Sequence, residues 1–166
     1  MRFRLMARAR AWLVRWRPIL PILIAEFVSV VGFGALLPVL PLYVVDQGVD
    51  LATLGIILAA WPAARLVGEP VFGWLADRTS RRPLMVAGLL ILAVASLLPL
   101  AFHGPLELFV LRLISGAAAS MYDPAARGIL VDATDEDERG EVFGLYTSAQ
   151  MGGFILGPVL GAFGAA

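Results

Sequence analysis

The 166 residues contain no cysteine, which excludes disulfide bridges and thiolate metal sites. Lysine is also absent: all thirteen basic residues are arginine, a usage that reflects a GC-rich genome more than a mechanism. The lone histidine, His103, sits in a short connection without a second ligand nearby, so no metal centre is expected there. Charge itself is scarce. Charged residues make up 16% of the chain and hydrophobic residues 60%, against about 45–50% apolar residues in soluble domains. No glycine-rich loop cradles a phosphate, and no Ser/His/Asp order suggests a nucleophile. No basic and aromatic residues interleave as nucleic-acid binding requires. These absences point away from an enzyme, a cofactor and a nucleic-acid partner. The acidic run "DATDEDERGE" lacks the glycine turn and ligand spacing of a calcium loop and reads as solvated.

In place of dispersed charge stand apolar runs long enough to span a bilayer. Five can be marked: residues 18–45, 51–76, 83–102, 105–131 and 141–166. Short connections join them, and in lipid each must be a helix, because an open strand edge leaves backbone groups unsatisfied. The expected class is an all-α integral membrane protein. Arginine marks its orientation: Arg2, Arg4, Arg8, Arg10, Arg15, Arg17, Arg78, Arg81, Arg82, Arg127 and Arg139 fall on one side. The connections on the other side hold none, which places the N-terminus in the cytoplasm of a cell membrane. Residues 1–17 resemble a signal peptide's basic region, but the apolar run after them is too long, contains Glu26 and lacks a small-residue cleavage site. Two readings stand for that segment. One is an interfacial helix with Leu5, Trp12 and Trp16 facing lipid; the other is a solvated basic tail.

Inside the spans, each charge calls for a partner or a purpose. Glu26 lies about 12 Å into the first span at helical rise, where a carboxyl can take up and release a proton. Arg112 lies in the outer half of the fourth span and keeps its charge. Arg65 and Glu69, four residues apart, suit an intrahelical ion pair. Asp123 and Arg127 repeat that spacing near the inner end of the fourth span, and Glu107 at its outer end reads as solvated. Trp61, Phe33, Tyr43 and Tyr122 are candidates for lining a cavity, for packing or for anchoring at the interface. Ala149, Gly153, Gly157, Gly161 and Ala165 share one face of the last span, where another helix can approach closely. Pro158 adds a possible kink. Without further helices, much of this face is expected to be left unpaired.

The stretch "GWLADRTSRR" resembles the loop signature of the major facilitator superfamily, through Gly73, Asp77, Arg78, Arg81 and Arg82. Ser80 stands where that family usually has glycine, and Gly73 is expected to allow close helix approach. "LRLISGAAAS" resembles the fourth-helix pattern, with Arg112, Gly116, Ala117 and Ala118. "GGFILGPVLGAF" resembles the fifth-helix motif of proton-driven antiporters, through Gly153, Gly157, Pro158 and Gly161. "LPVLPLY" is similar to the end of the first helix in drug:proton antiporters. The resemblance implies the first five of twelve helices, an incomplete N-terminal bundle over residues 18–166. Its partners would be the bilayer, a small-molecule substrate, protons and the missing C-terminal half. It also implies proton-coupled export of small apolar or cationic compounds by alternating access, with Arg112 modulating Glu26. Asp132 and Arg139 would join the Asp77 cluster in a conformational latch. A symporter or uniporter for a sugar, metabolite or organic ion is the alternative transporter. A truncated, non-transporting membrane protein is the alternative of another class, and the 166 residues alone are expected not to transport.

Overall fold

The computed structural model describes residues 15–46, 48–102 and 104–164. They form five long helices: α1 (Leu20–Asp46), α2 (Leu51–Arg78), α3 (Arg81–Leu97), α4 (Pro105–Asp132) and α5 (Arg139–Gly164). Local chemistry sets several of the ends. Asp50 starts α2 by accepting from the amides of Ala52 and Thr53 at 2.9 and 3.0 Å, which satisfies two otherwise unpaired donors. Thr79 and Ser80 are extended, and α3 then opens with Pro83 in its first turn, where a missing N–H costs nothing. Pro105 opens α4 in the same way, and the Gly104 amide donates to Glu107 Oε2 at 2.6 Å. Glu107 is therefore a helix cap rather than a merely solvated charge.

Prolines stand inside α1, α2, α4 and α5 without ending them, as neighbouring helices in a membrane permit. The segments Leu20–Pro41 and Leu51–Arg78 have mean hydropathies of 2.2 and 1.6 and are by themselves long and apolar enough to cross a bilayer. The distribution of polarity is inverted relative to a soluble fold. Leu66, Ile155 and Phe163 are 70–80% exposed, while Glu26, Arg112, Ser120 and Asp123 are buried. Burial of that kind suits a solvent as apolar as leucine, where polar groups turn inward.

Close backbone approach organises the bundle. α1 packs along α5, and α4 packs along both α2 and α3. A Cβ at Gly157 would lie 2.7 Å from both Gly34 Cα and the Val31 carbonyl, and one at Gly153 would lie 2.8 Å from Val30 Cβ. The glycine face of α5 is therefore taken up by α1, contrary to the expectation that much of it would be unpaired. Gly116 fits against Trp61 and Ala64 of α2, and Gly88 against the backbone of α4. Gly73 meets nothing within 4 Å, so it is not a point of close approach.

The N-terminal segment differs from expectation where it is described. Leu5 and Trp12 lie outside the described residues. Trp16 is 2% exposed and packs with Ile19, Leu130, Val142 and Tyr146, so it does not face lipid. Arg15 beside it pairs with Glu138 at 2.5 Å and reaches Glu141 at 3.7 Å. The acidic connection between α4 and α5 is thus partly neutralised by the N-terminal segment.

Candidate functional site

The contact between α1 and α5 also builds the site. Tyr146, Gln150, Gly153 and Gly157 follow one another at helical spacing along α5, so the glycines that let α1 approach bring the two polar side chains to Glu26. Tyr146 Oη donates to Glu26 Oε2 at 2.7 Å, and Gln150 Nε2 donates to Oε1 at 2.6 Å. Glu26 is 2% exposed and Tyr146 likewise. Neither Tyr146 nor Gln150 was singled out from the sequence. Their only signal is a polar i, i+4 pair running into the glycine stripe.

The neighbouring cluster joins α2 to α4. Arg65 Nε donates to Glu69 Oε1 at 2.8 Å, and its Nη2 contacts both Glu69 and Asp123. Asp123 therefore pairs across helices with Arg65 rather than within α4 with Arg127. The Arg65 guanidinium also lies over the Trp61 ring, 4.8 Å from its centroid. Glu26, Arg65, Tyr122, Asp123 and Gln150 line one small cavity of about 90 Å3. A larger cavity of about 470 Å3 adjoins it and shares Ser29, Phe33 and Trp61 with it.

Arg112 lines the larger cavity, not the smaller one. It is 9% exposed, and its guanidinium lies 5.8 Å from the Phe33 ring centroid. The structure does not bring Arg112 to Glu26; the arginine that shares the carboxylate's cavity is Arg65. Phe33, Trp61 and Tyr122 line these cavities, while the Tyr43 side chain and His103 lie outside what is described.

At the arginine-rich end, Arg81 ties three elements together. Its Nη1 donates to Asp132 at 2.5 Å and to the Gly128 carbonyl at 2.9 Å, and its Nη2 to Asp77 at 3.2 Å. The hydrogen bond to Asp132 raises the Arg81 pKa above its ordinary value, with a smaller contribution from Asp77. The close fit belongs to Gly128 rather than Gly73: a Cβ at Gly128 would lie 2.5 Å from Arg81 Nε. Arg78 stacks over Trp74 at 4.3 Å. Arg82 is exposed and makes no hydrogen bond or ion pair among the described residues. Arg139 pairs with Glu136 at 3.3 Å, not with the Asp77 cluster, because the short turn at Glu136–Glu138 supplies a nearer carboxylate.

Comparison with known proteins adds a family. The sequence model described as Major Facilitator Superfamily matches residues 22–166. Quinolone resistance protein NorA of Staphylococcus aureus is 31% identical over 137 residues, covering 82% of this chain and 35% of that protein. Multidrug resistance protein 2 of Bacillus subtilis is 31% identical over 138 residues, covering 82% of this chain and 34% of that protein. The chain spans about a third of the length of these relatives.

Proposed function

The chain belongs to the major facilitator superfamily, and we propose that it forms the first five transmembrane helices of a drug:proton antiporter with its N-terminus in the cytoplasm. In this reading the remaining helices of the transporter supply the opposed bundle. The two bundles rock about a midplane site, exporting small compounds with apolar or cationic bodies. The names of the two relatives, which refer to quinolone and multidrug resistance, support export of this kind.

The observation that carries the proposal is Glu26, buried within the bundle and held by two donors from a single helix. An ionised carboxylate accepts both bonds. A protonated one carries a donor of its own, so the bond with Tyr146 would reverse, the carboxyl donating to Tyr146 Oη, while Gln150 still donates to the other oxygen. Proton uptake would therefore exchange two charge-assisted bonds between α1 and α5 for weaker neutral ones, next to the glycine contacts that hold the pair together. Arg65 would keep the adjacent Asp123 and Glu69 compensated while Glu26 changes charge. Arg112, across the shared Phe33–Trp61 wall, would add a fixed positive charge to the field at Glu26. Asp77, Arg81 and Asp132 would form the conformational latch at the cytoplasmic end, flanked by Arg78 and Arg82.

The test is Glu26→Gln introduced at the native locus, so that the protein is made at whatever length the cell makes it. Everted membrane vesicles would be given a pH gradient and ethidium. The variant should reach the membrane at the parent's level yet lose gradient-driven ethidium transport. Transport equal to the parent's would remove Glu26 as the proton carrier.

A further inference from the structure

The residues just before α1 have no part in the coupling role, yet they reach its centre. Trp16 and Ile19 are 2% and 1% exposed, deep burial for side chains that precede a helix. A tight turn sets them there. The Ile19 amide donates to the Trp16 carbonyl at 3.0 Å, and the Leu23 amide to the Ile19 carbonyl at 3.1 Å, so the turn runs directly into α1. Arg15 covers it from outside. Its guanidinium lies over the Trp16 ring, 4.7 Å from the centroid, and its Nη2 pairs with Glu138 at 2.5 Å. The turn is thereby clasped to the connection between α4 and α5.

Inside the clasp lies an apolar seam made by three elements. Trp16, Ile19 and Ile22 belong to one packed cluster with Leu130 of α4 and with Val142 and Tyr146 of α5. Leu130 and Val142 are fully buried. Tyr146 stands one turn beyond Val142 on α5, and its hydroxyl donates to Glu26 at 2.7 Å. The cavity that Glu26 lines continues away from Trp16, towards Phe33 and Trp61. Trp16 therefore backs the donor to the carboxylate, between Glu26 and the charged end of the bundle.

A proton carrier in alternating access must meet one side at a time. If water also reached Glu26 along the inside of the bundle, protons would cross whenever the opposite face opened, with no compound moved. We propose that Arg15 and Trp16 form a seal that closes this inner route from the cytoplasm to Glu26, with Trp16 acting as a positioning residue behind Tyr146. The proposal rests on the transporter reading for the cytoplasmic side and for Glu26 as the carrier. The breadth of the indole is what the seal uses. Trp16→Ala opens a void for several waters, each needing about 30 Å3. Arg15 and Glu138 beside it favour hydration, where a wholly apolar void would stay dry.

The test uses everted membrane vesicles, whose outer face is cytoplasmic, carrying the protein made from its native locus. A membrane-impermeant, water-soluble carbodiimide is added without a gradient. Its modification of Glu26 is measured by mass spectrometry relative to that of Glu136, whose side chain is 87% exposed. Trp16→Ala should raise Glu26 modification severalfold, Trp16→Phe should stay near the parent, and Arg15→Gln should fall between them. Modification at the parent's rate in Trp16→Ala would overturn the proposal. An equal rise at Glu69 of α2 would also overturn it, since the bundle would then have loosened as a whole. Trp16→Leu serves the same comparison if the alanine variant does not reach the membrane. With no ethidium present, Trp16→Ala should also collapse an imposed pH gradient severalfold faster than the parent, and Glu26→Gln in the same chain should abolish that leak. Modification that rises without any such leak counts against Glu26 as the carrier and leaves the seal standing.

Discussion

The contact between α1 and α5 can be tested by adding a single methyl group. In Gly157→Ala the new Cβ would sit 2.7 Å from Gly34 Cα, 2.7 Å from the Val31 carbonyl and 2.9 Å from the Ala35 amide. These are backbone atoms, so no rotamer change relieves the overlap. The Gly34 contact is 0.7 Å short of the 3.4 Å at which ordinary van der Waals contact begins, and the helices must separate by about that much. A gap of ~0.5–1 Å forfeits a quarter to a half of each dispersion well it opens, and Gly153 and Gly161 open along with Gly157. The expected loss is about 1–3 kcal/mol, the usual range for overpacking.

The same methyl can be graded by position. At Gly34 the new Cβ would lie 3.2 Å from Gly157 Cα and from Pro158 Cδ, and at Gly55 nothing lies within 4 Å. Gly34→Ala should therefore cost less than Gly157→Ala. Gly55→Ala should be neutral or stabilising by up to about 1 kcal/mol, through helix propensity alone. SDS-induced unfolding of the purified chain, read by tryptophan fluorescence, ranks the three variants. If Gly157→Ala unfolds at the parent's midpoint, or Gly55→Ala loses as much as it does, helix contact through the glycines is not what holds the pair.

Two further outcomes follow from the ion pairs and caps. Asp123→Asn leaves Arg65 with Glu69 alone and should cost about 1.5–3 kcal/mol, as losing a hydrogen bond to a charged group does; Arg65→Leu with Asp123→Leu should restore much of that loss in the same unfolding assay. The Asp50 carboxyl is held below its ordinary pKa, chiefly by the Thr53 amide. Its contribution is therefore present at neutral pH and disappears as pH falls through the depressed value, below the ordinary aspartate pKa of about 3.9. Amide exchange at Ala52 and Thr53 should accelerate over that window in the parent, and less steeply in Asp50→Asn, which caps without ionising.

Much of this architecture is written locally. Apolar runs of bilayer length, punctuated by Asp50, Pro83 and Pro105, specify five helices, since lipid leaves the backbone no other partner than itself. The glycine stripe of α5 announces a close contact because its period is that of a helix face. The partners in each contact depend on which helices lie side by side, and linear spacing carries no such information. Spacing alone pairs Asp123 with Arg127 and assigns the close approach to Gly73. Packing of α2 on α4 gives Asp123 to Arg65 instead, and packing of α3 on α4 gives the close backbone approach to Gly88 and seats the Arg81 side chain against Gly128. The resemblance likewise couples Arg112 to Glu26, but α5 closes on α1 and supplies Tyr146 and Gln150 as the donors to Glu26. The residues carry the chemistry in their identity, but a hydrogen bond reaches only about 3 Å, and distances of that order between helices are set only when the helices pack.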